Sequence, residues 1–265
     1  MCTNNVKIFT KEDLIEELKK IRKIGWIKSA RTGNAGNVSN TLEDLLGIPE
    51  NNLPIPNAAE WELKTQRENT TSLTTLFHLE PSPRAVKFVS SVFLQLYGWK
   101  HKKAGESYPI GEMSFRQTIH GLRHSDRGFI VKIDRINNKV IVSFDYTKVD
   151  NRHSEWLSNV NRKVGLGEIN PQPYWGFNDL SSKAGTKLLN CFYVQANSKI
   201  ENGVEYFKYT TIKMLKQFTF SKFLSLLENG NILVDLDART GHNHGTKFRL
   251  RQNCLPLLYE ECFEL

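Results

Sequence analysis

Long apolar runs are missing from this 265-residue chain. No stretch reaches the roughly 18 residues that a membrane-spanning helix needs, so no contact with a membrane is expected. The N-terminal MCTNNVKIFTKEDL has no apolar core of the kind a secretory signal carries. Cysteine is scarce: Cys2, Cys191, Cys254 and Cys262 are scattered, and none belongs to a CxxC pair of the kind zinc sites use. A reduced, cytoplasmic protein is the expectation, with Cys254 and Cys262 as packing residues near a C-terminal helix. Internal repeats, low-complexity tracts and Pro/Ser linkers are also absent, which favours one compact α/β body, mixed α+β in character, built as two lobes.

What is present is charge. Hydrophobic residues make up 39% and charged residues 24%, the balance of a globular protein. The net charge is +8, and the basic residues recur along the chain instead of gathering in one tail. That distribution suits a folded groove for a polyanion, because neutralising phosphates releases counterions. Solubility alone would account for the same excess.

Periodicity supplies the elements. Thr10-Lys-Glu-Asp13 reads as a capping box, and Leu14, Leu18 and Ile21 then share one helical face up to Gly25. Asn40-Thr-Leu-Glu43 opens a short helix that runs to Gly47. Trp61–Arg67 and Leu73–Leu79 read as strands, and Pro83 starts a helix with Val86, Val89, Phe93 and Leu96 on one side. Phe129–Asp134 and Lys139–Phe144 form a hairpin about Asn137-Asn138. A short helix over Glu155–Val160, a strand over Val204–Thr211 and a helix over Phe220–Leu227 follow. Two more strands, Ile232–Asp237 and Thr246–Arg251, are joined by ARTGHNHG.

The stretch PIPNAAEWELKTQR carries the first chemistry. Residues two apart on a strand share a face, so Glu62 and Lys64 project together while Trp61 and Leu63 face a core. A carboxylate near Asn57, with Glu62 and the carbonyl of Leu63, would offer Mg²⁺ hard oxygen ligands, and Lys64 could orient or deprotonate a water. Glu-x-Lys is by itself a weak pattern, since an ordinary surface salt bridge has the same spacing.

More residues add to it. The Gly-rich loop followed by TLEDLLGI, the ENN-x-Pro bend, the WELKT strand, the TLFHLEP strand and, far downstream, DARTGHNHGTKFRLR occur in that order. Together they resemble the MvaI/BcnI family of restriction endonucleases, relatives of the mismatch-repair nickase MutH within the PD-(D/E)xK superfamily. The resemblance spans most of the chain and is weakest between about residues 100 and 200. It implies a MutH-type fold, with residues 1–110 mainly a catalytic lobe and 111–265 mainly a DNA-recognition lobe with return segments.

Carried over by position, the resemblance makes Glu62 and Lys64 catalytic and places Glu43 on a helix acid bordering the metal site. Capping through Asn40-x-x-Glu43 explains Glu43 equally well. Asn57 falls where the family has a metal-binding Asp. Its amide oxygen brings no negative charge, so Mg²⁺ affinity and transition-state stabilisation should both fall. Two explanations stay open: an introduced Asp-to-Asn change, or a chain that is natively slow or inactive.

Downstream, the resemblance assigns Asp237, Arg239, His242, His244 and Arg249 to base recognition; arginine can grip guanine O6 and N7, and Asp can accept from cytosine N4. A polar hairpin with a surface salt bridge is the alternative. His78 matches a histidine set against the central base pair, and Arg31 is a backbone-contact candidate. Arg116, Arg123, Arg127 and Lys132 suit a phosphate-contacting surface or plain solvation. HNH at 242–244 is not an HNH nuclease motif, and HGLRH has no further ligands for zinc. The expected protein is a Mg²⁺-dependent type II restriction endonuclease cutting double-stranded DNA at a CCNGG-like site with S or W at its centre. It would act as a monomer nicking each strand in turn, with a companion DNA methyltransferase in the host. A sequence-specific DNA-binding protein without nuclease activity and a MutH-like repair nickase are the alternatives.

Overall fold

The computed structural model describes residues 9–31, 36–48, 61–68 and 70–265. In chain order its helices are α1 (Lys11–Ile24), α2 (Asn37–Leu46), α3 (Leu94–Tyr97), α4 (Ser154–Val164), α5 (Phe177–Leu188) and α6 (Phe220–Glu228). The early strands are β1 (Ile27–Lys28), β2 (Glu62–Arg67), β3 (Thr74–His78), β4 (Trp99–Lys100), β5 (Met113–Ile119), β6 (Arg127–Asp134) and β7 (Lys139–Val149). The later ones are β8 (Tyr174–Gly176), β9 (Asn190–Glu201), β10 (Val204–Phe218), β11 (Ile232–Arg239), β12 (His242–Leu250) and β13 (Tyr259–Glu264). The mixed α/β class expected from the sequence is the class observed.

The chain divides into two compact units: residues 1–74, 184–219 and 252–265, and residues 75–183 with 220–251. The first break falls at Thr74/Thr75, so the boundary expected near residue 110 lies inside the second unit.

In the first unit the sheet order is β1-β10-β9-β2, with β13 also paired to β10. The capping box forms as read: Asp13 N donates to Thr10 Oγ1 at 3.1 Å, and Thr10 N donates to Asp13 Oδ2 at 3.3 Å. Acidic residues in the first turn and Arg22 and Lys23 in the last complement the helix dipole. Leu14, Leu18 and Ile21 of α1 and Val38, Leu42 and Leu46 of α2 pack with Trp61, Leu63, Phe192, Val194, Phe207 and Tyr209 of the sheet. β9 and β10 form a hairpin through Asn202-Gly203, both at positive φ (51° and 75°), the pairing that a two-residue turn between twisted strands requires.

The second unit holds a sheet of order β3-β12-β11-β5-β4 and another of order β6-β7-β8. Its core is aromatic. Phe93 stacks on Phe115 at 4.9 Å, Phe129 meets Phe115 edge-on at 5.6 Å and lies tilted against Phe144 at 5.1 Å, and Trp156 Nε1 donates to the carbonyl of Tyr97 at 2.8 Å.

Several local expectations are corrected. The Pro83 helix is broken: a single 3₁₀ turn at Arg84–Val86 ends at Lys87 in the left-handed region (φ 52°), and a π-turn at Val89–Phe93 leads into α3. The wider turn shifts the buried set to Val89, Val92, Phe93, Leu94 and Tyr97, leaving Leu96 half-buried. No C-terminal helix accompanies the last cysteines; Cys254 precedes a 3₁₀ turn and Cys262 lies on β13. The strands around ARTGHNHG extend until only Thr240-Gly241 separates them.

Candidate active site

Alternation along β2 sorts its side chains as the pleat requires. Trp61 and Leu63 enter the core beneath α1 and α2, while Glu62, Lys64 and Gln66 take the other face. β2 runs parallel to β9, with Glu62 opposite Cys191, Lys64 opposite Tyr193 and Gln66 opposite Gln195. Among the described residues it is an edge strand, so alternate carbonyls point away from β9, the exposure that a metal-ligating Leu63 carbonyl needs.

Lys64 Nζ donates to Glu62 Oε1 at 2.7 Å, with side chains only 14% and 6% exposed. A surface salt bridge would be far more open, so the ordinary reading of Glu-x-Lys fails on burial. The other carboxylate oxygen, Glu62 Oε2, is buried and has no hydrogen-bond partner among the described residues. A buried, unpaired charged oxygen costs folding free energy, and structures retain such groups where a ligand uses them. Opposite Glu62 on β9, burial pushes the Cys191 thiol up to about 12, so that side chain is neutral. Further along the same face Tyr193 Oη donates to Gln66 Oε1 at 2.6 Å, anchoring the strand.

Glu43 sits half-buried on α2, which packs against β2. That helix begins at Asn37 with Gly36 as its cap and no side-chain capping bond, so Asn40 is an interior residue and cannot cap through Glu43. Arg31 pairs with Asp44 of the same helix at 3.4 Å. Asn57 lies outside the described residues. Among those described, no group of three or more His, Cys, Asp and Glu gathers as a metal cluster.

The downstream motif forms a charged sheet face in the second unit. Asp235, Asp237 and Arg239 of β11 alternate with buried Val234, Leu236 and Ala238, and they lie opposite Thr118, Arg116 and Ser114 of β5. Arg249 Nη1 donates to Asp235 Oδ2 at 2.9 Å, Arg116 Nε lies 3.7 Å from Asp237 Oδ2, and Arg239 Nη1 donates to Glu112 Oε1 at 3.1 Å. At the tip of the hairpin the exposed rings of His242 and His244 stand 4.2 Å apart. His78 is exposed at the end of β3, a neighbour of β12 in the sheet. The face thus gathers Asp237, Arg239 and Arg249, and adds Glu112 and Asp235, which sequence reasoning missed. Nothing local marks Glu112 as the partner of an arginine 127 positions away.

Beside this face Arg116, Arg123, His124 and Arg127 line a groove of ≈ 560 Å³. Arg127 is not a solvated charge: its guanidinium lies 3.9 Å from the Trp99 ring centre and 3.8 Å from Asp126. His120 is buried, and its Nδ1 accepts from Leu122 N at 3.1 Å.

The described residues thus carry an edge strand with a buried Glu–Lys pair and, in the second unit, a sheet face of arginines and carboxylates. The profile of the MvaI/BcnI restriction endonuclease family matches residues 15–259. The chain belongs to the MvaI/BcnI restriction endonuclease family. Two solved structures of the restriction endonuclease MvaI resemble it, each at 25% identity over 97% of this chain and 99% of that one. The MvaI complex with its cognate DNA substrate superposes with a TM-score of 0.75, and MvaI in the absence of DNA with 0.52. No curated protein matches the chain.

Proposed function

We propose that the chain is a Mg²⁺-dependent type II restriction endonuclease that hydrolyses phosphodiester bonds in double-stranded DNA. Its site is a short C/G-rich sequence of CCNGG type with S or W at the centre, which it binds as a monomer and nicks one strand at a time. The carrying observation is the buried Glu62–Lys64 pair with Glu62 Oε2 left unpartnered. The resemblance to the complex of MvaI with its cognate DNA substrate supports duplex DNA as the partner.

The donor set fits a hard cation in kind. Glu62 Oε2 and the Leu63 carbonyl supply oxygens, and Asn57 would add a neutral amide oxygen. Mg²⁺, when bound, supplies charge stabilisation at the scissile phosphate and lowers the pKa of a coordinated water. Glu62 divides its two oxygens, Oε1 holding Lys64 and Oε2 remaining open for the cation. Lys64 Nζ keeps two further N–H groups that can orient the attacking water or bind a non-bridging phosphate oxygen. Glu43 borders the site from α2. Asp237, Arg239, His242, His244, Arg249 and His78 read bases, and Arg31 contacts the backbone.

One observation favours a second reading. Asn stands at position 57, so a native chain lacking one acidic ligand would bind specific DNA without cutting it usefully. Plasmid cleavage with Mg²⁺ by this chain and by Asn57→Asp separates the two. Faster cutting by Asn57→Asp, with linear product, is expected; specific binding without cutting by either protein refutes the endonuclease reading. Nicked circles alone would indicate a MutH-like nickase.

A further inference from the structure

The side chain of Arg239 is not loose on its sheet face. Its Nη1 donates to Glu112 Oε1 at 3.1 Å, and Glu112 is only 4% exposed. Its Cζ lies 5.0 Å from the ring centre of Tyr108. Both partners belong to the loop 101–112, which joins β4 to β5. That loop is tied at both ends: His101 N donates to Glu112 O at 2.8 Å, and Tyr108 N to Lys103 O at 3.2 Å. Tyr108 also meets His101 edge-on at 4.6 Å. The loop is sewn to the end of β11 as well, with Thr240 N donating to Met113 O at 3.1 Å and Met113 N to Thr240 Oγ1 at 2.9 Å.

We propose that Glu112 and Tyr108 are positioning residues for Arg239, so that the loop 101–112 aims a base-reading guanidinium before DNA arrives. The proposal rests on the reading of the β11–β12 face as base-reading. Its chemistry follows from the shape of guanidinium. The group is planar with five donors in a fixed fork, and a carboxylate on one Nη with a ring near its face removes both rotation and tilt. The Nε and Nη2 donors are not used by Glu112, and the side chain is 33% exposed, so a donor edge can still meet guanine O6 and N7. A residue ordered in advance loses less entropy on binding, and the saving appears as affinity for the one base pair it meets. The burial of Glu112 matters here. An exposed acid would trade Arg239 for water or phosphate, whereas Glu112, cut off from solvent, is held in an ion pair with Arg239 among the described residues.

The test uses the full chain and two readouts. By ¹⁵N NMR, the Arg239 Nη groups should give resolved signals from hindered rotation, broadened in Glu112→Gln and in Tyr108→Ala but restored in Tyr108→Phe. By equilibrium binding, the probes are duplexes carrying CCAGG, CCTGG, CCCGG or CCGGG, and versions of each with one G·C pair exchanged for A·T. Glu112→Gln should lose discrimination at the same single G·C pair as Arg239→Ala, by roughly 5- to 150-fold. The double variant should lose no more than either alone. A uniform loss on every duplex, an additive double variant, or unchanged Arg239 signals in Glu112→Gln would overturn the positioning role. If the unaltered chain discriminates among none of these duplexes, the base-reading assignment itself falls and takes the proposal with it.

Discussion

Replacing Lys64 by Met keeps the aliphatic stem and removes only the charge, which isolates the electrostatic part of the Glu62–Lys64 pair. Glu62, with 6% of its side chain exposed, would then hold a carboxylate whose Oε1 has lost the donor at 2.7 Å and whose Oε2 had none among the described residues. Breaking one side of a buried pair costs about 3–5 kcal/mol, because an uncompensated charge stays in the interior. The urea midpoint of Lys64→Met should fall by about 1 M or more. The double variant Glu62→Leu/Lys64→Met removes both charges and the orphaned oxygen together. It should recover the loss and can exceed the unaltered chain by about 1–4 kcal/mol, while DNA cleavage disappears. Mg²⁺ should raise the midpoint of the unaltered protein and not that of the double variant. A double variant as unstable as Lys64→Met would refute the reasoning, since it would show that the pair holds the strand together and that stability is not given up there for chemistry.

His120 gives a pH test. Burial, followed by the Arg251 and Arg123 charges, lowers its pKa, so the unfolded chain binds a proton more readily than the folded one. The neutral form's contribution is complete above the unfolded value of about 6.5 and is lost as pH falls below it toward the folded value; His120→Gln should flatten the acid limb of a plot of urea midpoint against pH. Phe129, fully buried among Phe93, Tyr97, Phe115, Phe144 and Trp156, should cost about 3–5 kcal/mol when changed to Ala, measured by urea unfolding.

Legibility varied with the distance between interacting residues. The α1 cap, the Asn137-Asn138 hairpin and the alternation of β2 were readable because their causes lie within a few residues. The sequence reading expects a strand over Val204–Thr211 but not its partner β9, although Asn202-Gly203 is a local turn signal for that hairpin. The Pro83 helix misled because a π-turn changes the period on which side-chain faces are judged. The chain also crosses between its units four times, at Thr74/Thr75, within α5, after Thr219 and before Gln252, and no composition shift marks these points.

By itself the sequence determined the family, the strand that carries Glu62 and Lys64 and the list of polar residues that one hairpin would carry, since each is written in contiguous residues or in the order of short motifs. Tertiary structure decided what those residues are worth. Whether Glu62 and Lys64 form a solvated salt bridge or a buried pair depends on what covers them, and whether Arg239 swings or is held depends on a glutamate 127 positions earlier. Burial and long-range pairing set the local dielectric and the entropy of each side chain, and these are properties of the packed chain that no local pattern encodes.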